Sequence, residues 1–200
     1  MTDSPDVDVC VVGAGPVGAT LAARLASAGI STAVIDAAPL PTMEMPAFDG
    51  RAYAIALTSK RLLDAAGVWE RLPVTPCPIL GIRVADGRPG EPPSPFSLHF
   101  DHAEVGEEPF GWMVEARSLR IALNAHLPKL SNLAVHAPAK AEVARDADGA
   151  TITLSTGAQF RARLVVGAEG RNSPLRAQAG IPVSRLDYHC MGLVGSIAHE

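Results

Sequence analysis

The sequence predicts an α/β fold built on a parallel sheet, and three observations carry that prediction. An apolar run from Val7 to Val12, broken only by Asp8, leads straight into Gly13, Gly15 and Gly18. These glycines, spaced G-x-G-x-x-G, open a helical pattern from Pro16 to about Ala28, and a second apolar strand, Thr32 to Ile35, follows it. Far downstream, RLVVGAEG (163–170) reads as a continuously apolar strand ending in glycine. A strand buried on both faces of a parallel sheet has that character.

The first of these units has a chemical reading. Gly13 permits the tight strand-to-helix turn, Gly15 lets a pyrophosphate approach the backbone with no Cβ in the way, and Gly18 lets the helix pack close on the strand. Pro16 suits the first helical turn, where its missing N–H costs nothing, and the free N–H groups and positive dipole end there favour an anion. Asp36 ends the second strand about 20 residues beyond Gly13, which suits a carboxylate accepting from a ribose hydroxyl. The unit therefore predicts a Rossmann-like dinucleotide site. FAD and NAD use the same cradle, while Asp36 argues against a 2′-phosphate, which calls for an arginine.

Composition agrees with a folded, ligand-binding chain. Of 200 residues, 48% are hydrophobic and 19% charged, with a net charge of −4, so a core is available and nucleic acid is not an expected partner. Cys10, Cys77 and Cys190 form neither an even set nor a C-x-x-C pair. A disulfide frame and a zinc site are thus not indicated, and a reducing cytoplasm fits. The polar N-terminus and the short apolar run after it read as neither a signal peptide nor a membrane span.

The remaining elements follow in order. In the first helix Val17, Leu21 and Leu25 form the expected inward row, beside the small residues Gly18, Ala22 and Ala26, and Gly29 ends it. Residues 37–50 form a long loop rich in proline and polar breakers. Thr58 is expected to cap a helix whose buried side is Leu62, Leu63 and Ala66. Between Pro73 and Pro109 proline and glycine are dense, and the short strands Ile82–Ala85 and Phe96–Phe100 suggest part of a second β lobe. A helix from about Ser118 to Leu127 presents Leu119, Leu123 and Leu127 on one face. After Leu133–His136, the runs Ala141–Arg145, Thr151–Ser155 and Gln159–Arg161, joined by Asp148-Gly149 and Thr156-Gly157, read as a three-stranded antiparallel meander. His99, Asp101 and His102 read as a solvated polar loop, so no metal is expected.

Three stretches, GAGPVG (13–18) with Asp36, DGRAYAIALTSKRLLDAAGVW (49–69) and LVVGAEGRNSPLR (164–176), resemble the flavoprotein aromatic hydroxylases, in particular the ubiquinone-biosynthesis branch acting on polyprenylated phenols. The resemblance implies an α/β, Rossmann-like FAD-binding domain formed by residues 1–72 and 110–180, carrying the meander, with 73–109 and 181–200 belonging to a substrate-side β lobe. It also implies FAD as cofactor, NAD(P)H as co-substrate, oxygen-dependent hydroxylation of a prenylated phenol, and a cytoplasmic protein that associates peripherally with the inner membrane or with a biosynthetic complex.

Cofactor contacts are expected at Gly13, Gly15, Pro16, Gly18, Asp36, Arg51, Arg117, Glu169 and Gly170. Arg51, by resemblance, reaches the flavin phosphates or the ring edge. Arg117 begins a helix, where a cation opposes the dipole unless an anion lies near. Glu169 stands where the family carries aspartate. Ser173 serves equally as a helix cap or a ligand contact, and Arg176 as an ion-pair partner of Glu169 or a nucleotide contact. No Gly-Asp dipeptide, the family's third fingerprint, occurs here. The chain is therefore expected to be the N-terminal portion of a longer enzyme that hydroxylates nothing by itself, and no catalytic base is named. A flavin-dependent reductase of the prenyl-reductase type and a catalytically incomplete nucleotide-binding fragment stay open as alternatives.

Overall fold

A computed structural model describes residues 6–44, 50–87, 90, 92 and 94–191. Part of the 37–50 loop, part of the proline-rich stretch and the last nine residues of the expected second lobe lie outside the described residues. In chain order the strands and helices are β1 (Val7–Val12), α1 (Pro16–Ser27), β2 (Thr32–Ile35), β3 (Ala52–Ala56), α2 (Leu57–Ala65), β4 (Cys77–Ile79), β5 (Gly81–Ala85), β6 (Ser97–Asp101), β7 (Gly111–Glu115), α3 (Ala116–His126), β8 (Leu133–His136), β9 (Ala141–Asp146), β10 (Gly149–Leu154), β11 (Gln159–Gly167) and α4 (Pro174–Gln178).

The main sheet has the order β8-β2-β1-β11-β10-β9. Its first four strands are parallel, and β11, β10 and β9 form the antiparallel meander. One long strand joins the two halves: Ala162 of β11 lies opposite both Val7 of β1 and Ala150 of β10. The sequence reading divides this strand at Arg161, but the backbone runs through without a break. In β1 the side chains alternate between two cores, Val9 and Val11 joining the helix side and Cys10 and Val12 the meander side. That is why the strand is apolar at nearly every position.

Two expectations are corrected by packing. In α1 the small residues face inward, Gly18, Ala19, Ala22, Ala23 and Ala26 being buried, while Val17 is 77% exposed and Leu21 and Leu25 are half-buried. The cause is the short distance between helix and sheet: a Cβ on Gly18 would fall 1.9 Å from the Gly13 carbonyl oxygen. In α2, Leu63 and Ala66 are buried, but Leu62 is 47% exposed, and the helix follows β3 directly with Ala56 at its N-cap, so Thr58 caps nothing. A third expectation holds in part, since β11 lies centrally in the sheet but Leu164, paired with Val9 of β1, is 56% exposed.

The β3-β7-β4 sheet, which residue patterning did not reveal, leans Tyr53, Ile55, Trp112 and Val114 on the helix-side core. The β5–β6 hairpin forms a separate pair whose Ile82, Val84, Leu98 and Phe100 share one face and stay exposed.

Candidate functional site

The glycine loop, the end of β2 and the start of α3 converge at the C-terminal edge of the parallel strands, where open α/β sheets place ligands. Gly13 holds φ at +105°, and a Cβ there would sit 2.5 Å from the Ala168 carbonyl oxygen, so both conformation and space demand glycine. Gly15 differs: it has ordinary φ and ψ of −59° and 173°, and an added Cβ would meet nothing within 4 Å. The fold therefore gives no steric reason for glycine at position 15. The open space in front of it is what a dinucleotide's diphosphate requires.

Asp36 closes the loop from the side. Its Oδ2 accepts the Ala14 N–H at 2.7 Å and its Oδ1 accepts the Ala38 N–H at 2.9 Å. Each oxygen keeps a lone pair for a further donor such as a ribose hydroxyl. A cavity of about 860 Å³ runs from Gly13 and Asp36 past Ala139 and Lys140 to Glu169 and Leu175. From sequence Lys140 reads as scattered surface charge and Ala139 carries no signal, because a short connection between strands has no pattern that separates a ligand wall from an ordinary turn.

The other expected residues fall in two groups. The backbones of Arg51 and Ala116 are joined by the Ala116 N–H donating to the Arg51 carbonyl at 3.0 Å, which brings the entry to β3 and the first turn of α3 together. Arg117 lies in that turn, and its Nε is buried with no hydrogen-bond partner among the described residues. A buried N–H without an acceptor fits an anionic group of a ligand. On the opposite side, Glu169 Oε2 accepts the Ser173 hydroxyl at 2.5 Å and the Leu175 N–H at 3.0 Å, while Ser173 Oγ accepts the Arg176 N–H at 3.1 Å. Ser173 is thus a helix cap. Arg176 donates to the Arg171 carbonyl at 2.8 Å rather than to Glu169. Gly170 takes φ +81° beside Glu169, with open space around its α-carbon.

Two residues of α3 escaped the sequence reading. Arg120, 9% exposed, donates from Nη1 to the Ala14 carbonyl at 2.5 Å, and Asn124 donates to the Leu40 carbonyl at 2.6 Å and to Glu44 Oε1 at 3.2 Å. Burial pulls the Arg120 pKa below its ordinary value, while Tyr53, Asp36 and Glu44 act in the opposite direction. In sequence the only signal is a polar residue directly after Leu119 and another directly after Leu123, and helical periodicity does not distinguish a buried anchor there from a solvated flank.

Gly13 and Gly18 locked by sterics, Gly15 left open, and a carboxylate at the end of the second strand together define a dinucleotide-binding α/β protein. The chain belongs to the FAD binding domain family, which it matches over residues 6–197. It is 44% identical to the ubiquinone hydroxylase UbiL of Rhodospirillum rubrum across 100% of this chain and 46% of that protein. It is 32% identical to the 3-demethoxyubiquinol 3-hydroxylase of Escherichia coli across 94% of this chain and 47% of the relative. The chain thus spans about half the length of these curated relatives. Among solved structures, p-nitrophenol 4-monooxygenase PnpA of Pseudomonas putida superposes with a TM-score of 0.67 at 24% identity, covering 87% of this chain and 43% of that one. The halogenase PltM with bound FAD gives 0.64 at 22%, covering 87% and 36%. At these identities the structural likeness shows a shared fold.

Proposed function

We propose that this chain is the FAD-binding portion of a flavin-dependent monooxygenase that hydroxylates a polyprenylated phenol in ubiquinone biosynthesis, consuming NAD(P)H and oxygen. The observation that carries this reading is 44% identity over the full chain to a ubiquinone hydroxylase, on a cradle whose Gly15 has no role within the chain's own packing. In this reading the start of α1 and the Gly15 N–H receive the diphosphate, and Asp36 accepts a ribose hydroxyl. Arg51 and Arg117 supply positive charge at the first turn of α3, and Glu169 and Gly170 border the cofactor at the end of β11. Bound FAD supplies the redox chemistry, and the chain's own residues bind and orient it. No helix of the described residues is long and apolar enough to cross a membrane. We place the protein in the cytoplasm, meeting its lipophilic substrate at the membrane surface.

The test is oxygen consumption by the full-length protein purified with its flavin. A prenylated phenol is expected to stimulate NAD(P)H-dependent oxygen uptake and to appear hydroxylated. Reduction of a substrate double bond with no oxygen consumed would point instead to the reductase chemistry, and a protein that retains no flavin would leave only a nucleotide-binding fragment.

A further inference from the structure

Ala14 is held at both ends by opposite charges. Its N–H donates to the Asp36 carboxylate at 2.7 Å, and its carbonyl accepts the Arg120 guanidinium at 2.5 Å. Ala14 itself is 1% exposed, so neither group has water as an alternative partner. The consequence lies in the next peptide bond. In a planar trans peptide the carbonyl of one residue and the N–H of the next point in opposite directions. Arg120, lying beneath the loop, draws the Ala14 carbonyl toward the interior, so the Gly15 N–H faces the other way, into the open space described above. That N–H has no acceptor among the described residues. Asn124, one helical turn further along α3, ties down Leu40 and Glu44 in the loop after β2, so one helix braces both loops around Asp36.

We infer that Arg120 is a positioning residue for cofactor binding: it sets the orientation of the Ala14–Gly15 peptide and thereby aims the Gly15 N–H at the diphosphate of the dinucleotide. This rests on the dinucleotide reading of the glycine loop. Arg120 touches the loop and not the ligand. Without its hydrogen bond the buried carbonyl lacks a donor, and the peptide gains a reason to rotate, which would carry the Gly15 N–H out of the cleft.

The experiment compares ADP with adenosine as probes of the full-length protein stripped of flavin, because only ADP carries the diphosphate. In R120M, whose side chain fills similar space with no donor, ADP affinity is expected to fall about tenfold or more. Adenosine affinity should stay within about twofold of wild type, since a role in one peptide's orientation leaves the adenosine contacts intact. R120K, which keeps one donor toward Ala14, should recover most of the lost ADP affinity. If R120M does not fold, R120L, which also lacks a donor, is read by the same ratio. Equal loss of ADP and adenosine would reveal a purely structural arginine and overturn the inference, as would wild-type ADP binding in the variant. Failure of the wild-type protein to bind either ADP or FAD would overturn the dinucleotide reading beneath it, an outcome separable from the other two.

Discussion

Replacing Gly15 with valine separates ligand binding from folding at a single position. The backbone there, with φ −59° and ψ 173°, is open to any residue, and a Cβ would find no atom within 4 Å. Removing a glycine's freedom from the unfolded chain at such a site stabilises a fold by about 0.4–1 kcal/mol. The apo protein is therefore expected to unfold at the same denaturant midpoint as wild type or slightly above it. A phosphate oxygen accepting from the Gly15 N–H approaches to roughly 3 Å, which leaves no room for an isopropyl group on the adjoining carbon. FAD affinity measured by calorimetry should fall at least about 100-fold, equivalent to about 2.7 kcal/mol. Gly18→Ala is the contrast: its new methyl would lie 1.9 Å from the Gly13 carbonyl oxygen and 2.9 Å from Ala168 Cβ, and overpacking of that kind costs about 1–3 kcal/mol. Wild-type FAD affinity in the valine variant would refute the assignment of the cradle, and a large loss of apo stability would refute the claim that the space before Gly15 is free.

Other substitutions and conditions test neighbouring parts of the argument. Asp36→Ala removes the acceptor of the Ala14 and Ala38 N–H groups and is expected to weaken FAD binding by about 1–3 kcal/mol, read by fluorescence titration. His126 is buried with Nε2 3.0 Å from the Ala66 carbonyl, and burial, reinforced by Arg71 and Lys129, lowers its pKa below the ordinary 6.5. The unfolded chain then binds the proton more readily, so stability should be full above about pH 6.5 and decline as pH falls through the lower folded-state pKa, a slope that His126→Gln should flatten in denaturant titrations. Cys10 is fully buried and its thiol is pushed up to about 12, so an aromatic disulfide reagent should label Cys77 and Cys190 quickly and Cys10 only on unfolding. Ile152→Ala opens a hole in the meander-side core, where Ile152 is 0% exposed, and should cost about 2–5 kcal/mol by equilibrium unfolding.

The parts of the site legible in the sequence are those in which one residue type answers a local demand. Gly13 must take positive φ, Gly18 must admit the strand, and Asp36 must end β2 beside the loop; each demand acts within a single βαβ unit, so spacing alone reports it. The meander was legible for the same reason, since Ala150, Ile152 and Leu154 alternate with exposed or half-buried neighbours over the length of one strand. Ser173, by contrast, stood equally for a cap and a ligand contact until the Glu169 carboxylate was found spanning Ser173 and Leu175. Strands β3, β4 and β7 were missed because short runs containing alanine, glycine and proline carry little periodicity, and pairing between distant segments supplies their order.

By itself, the sequence determined the α/β class, the two motifs at the ends of β1 and β11, and the carboxylate after β2, because each depends on neighbours a few residues away. The tertiary structure alone decided which face of α1 is buried, since helix-to-sheet distance, not hydrophobicity, selects alanine over Val17. It alone also decided that Arg120 reaches Ala14 across a separation of 106 residues. Burial and pairing of that kind depend on which surfaces meet in space, and a linear pattern holds no record of the meeting.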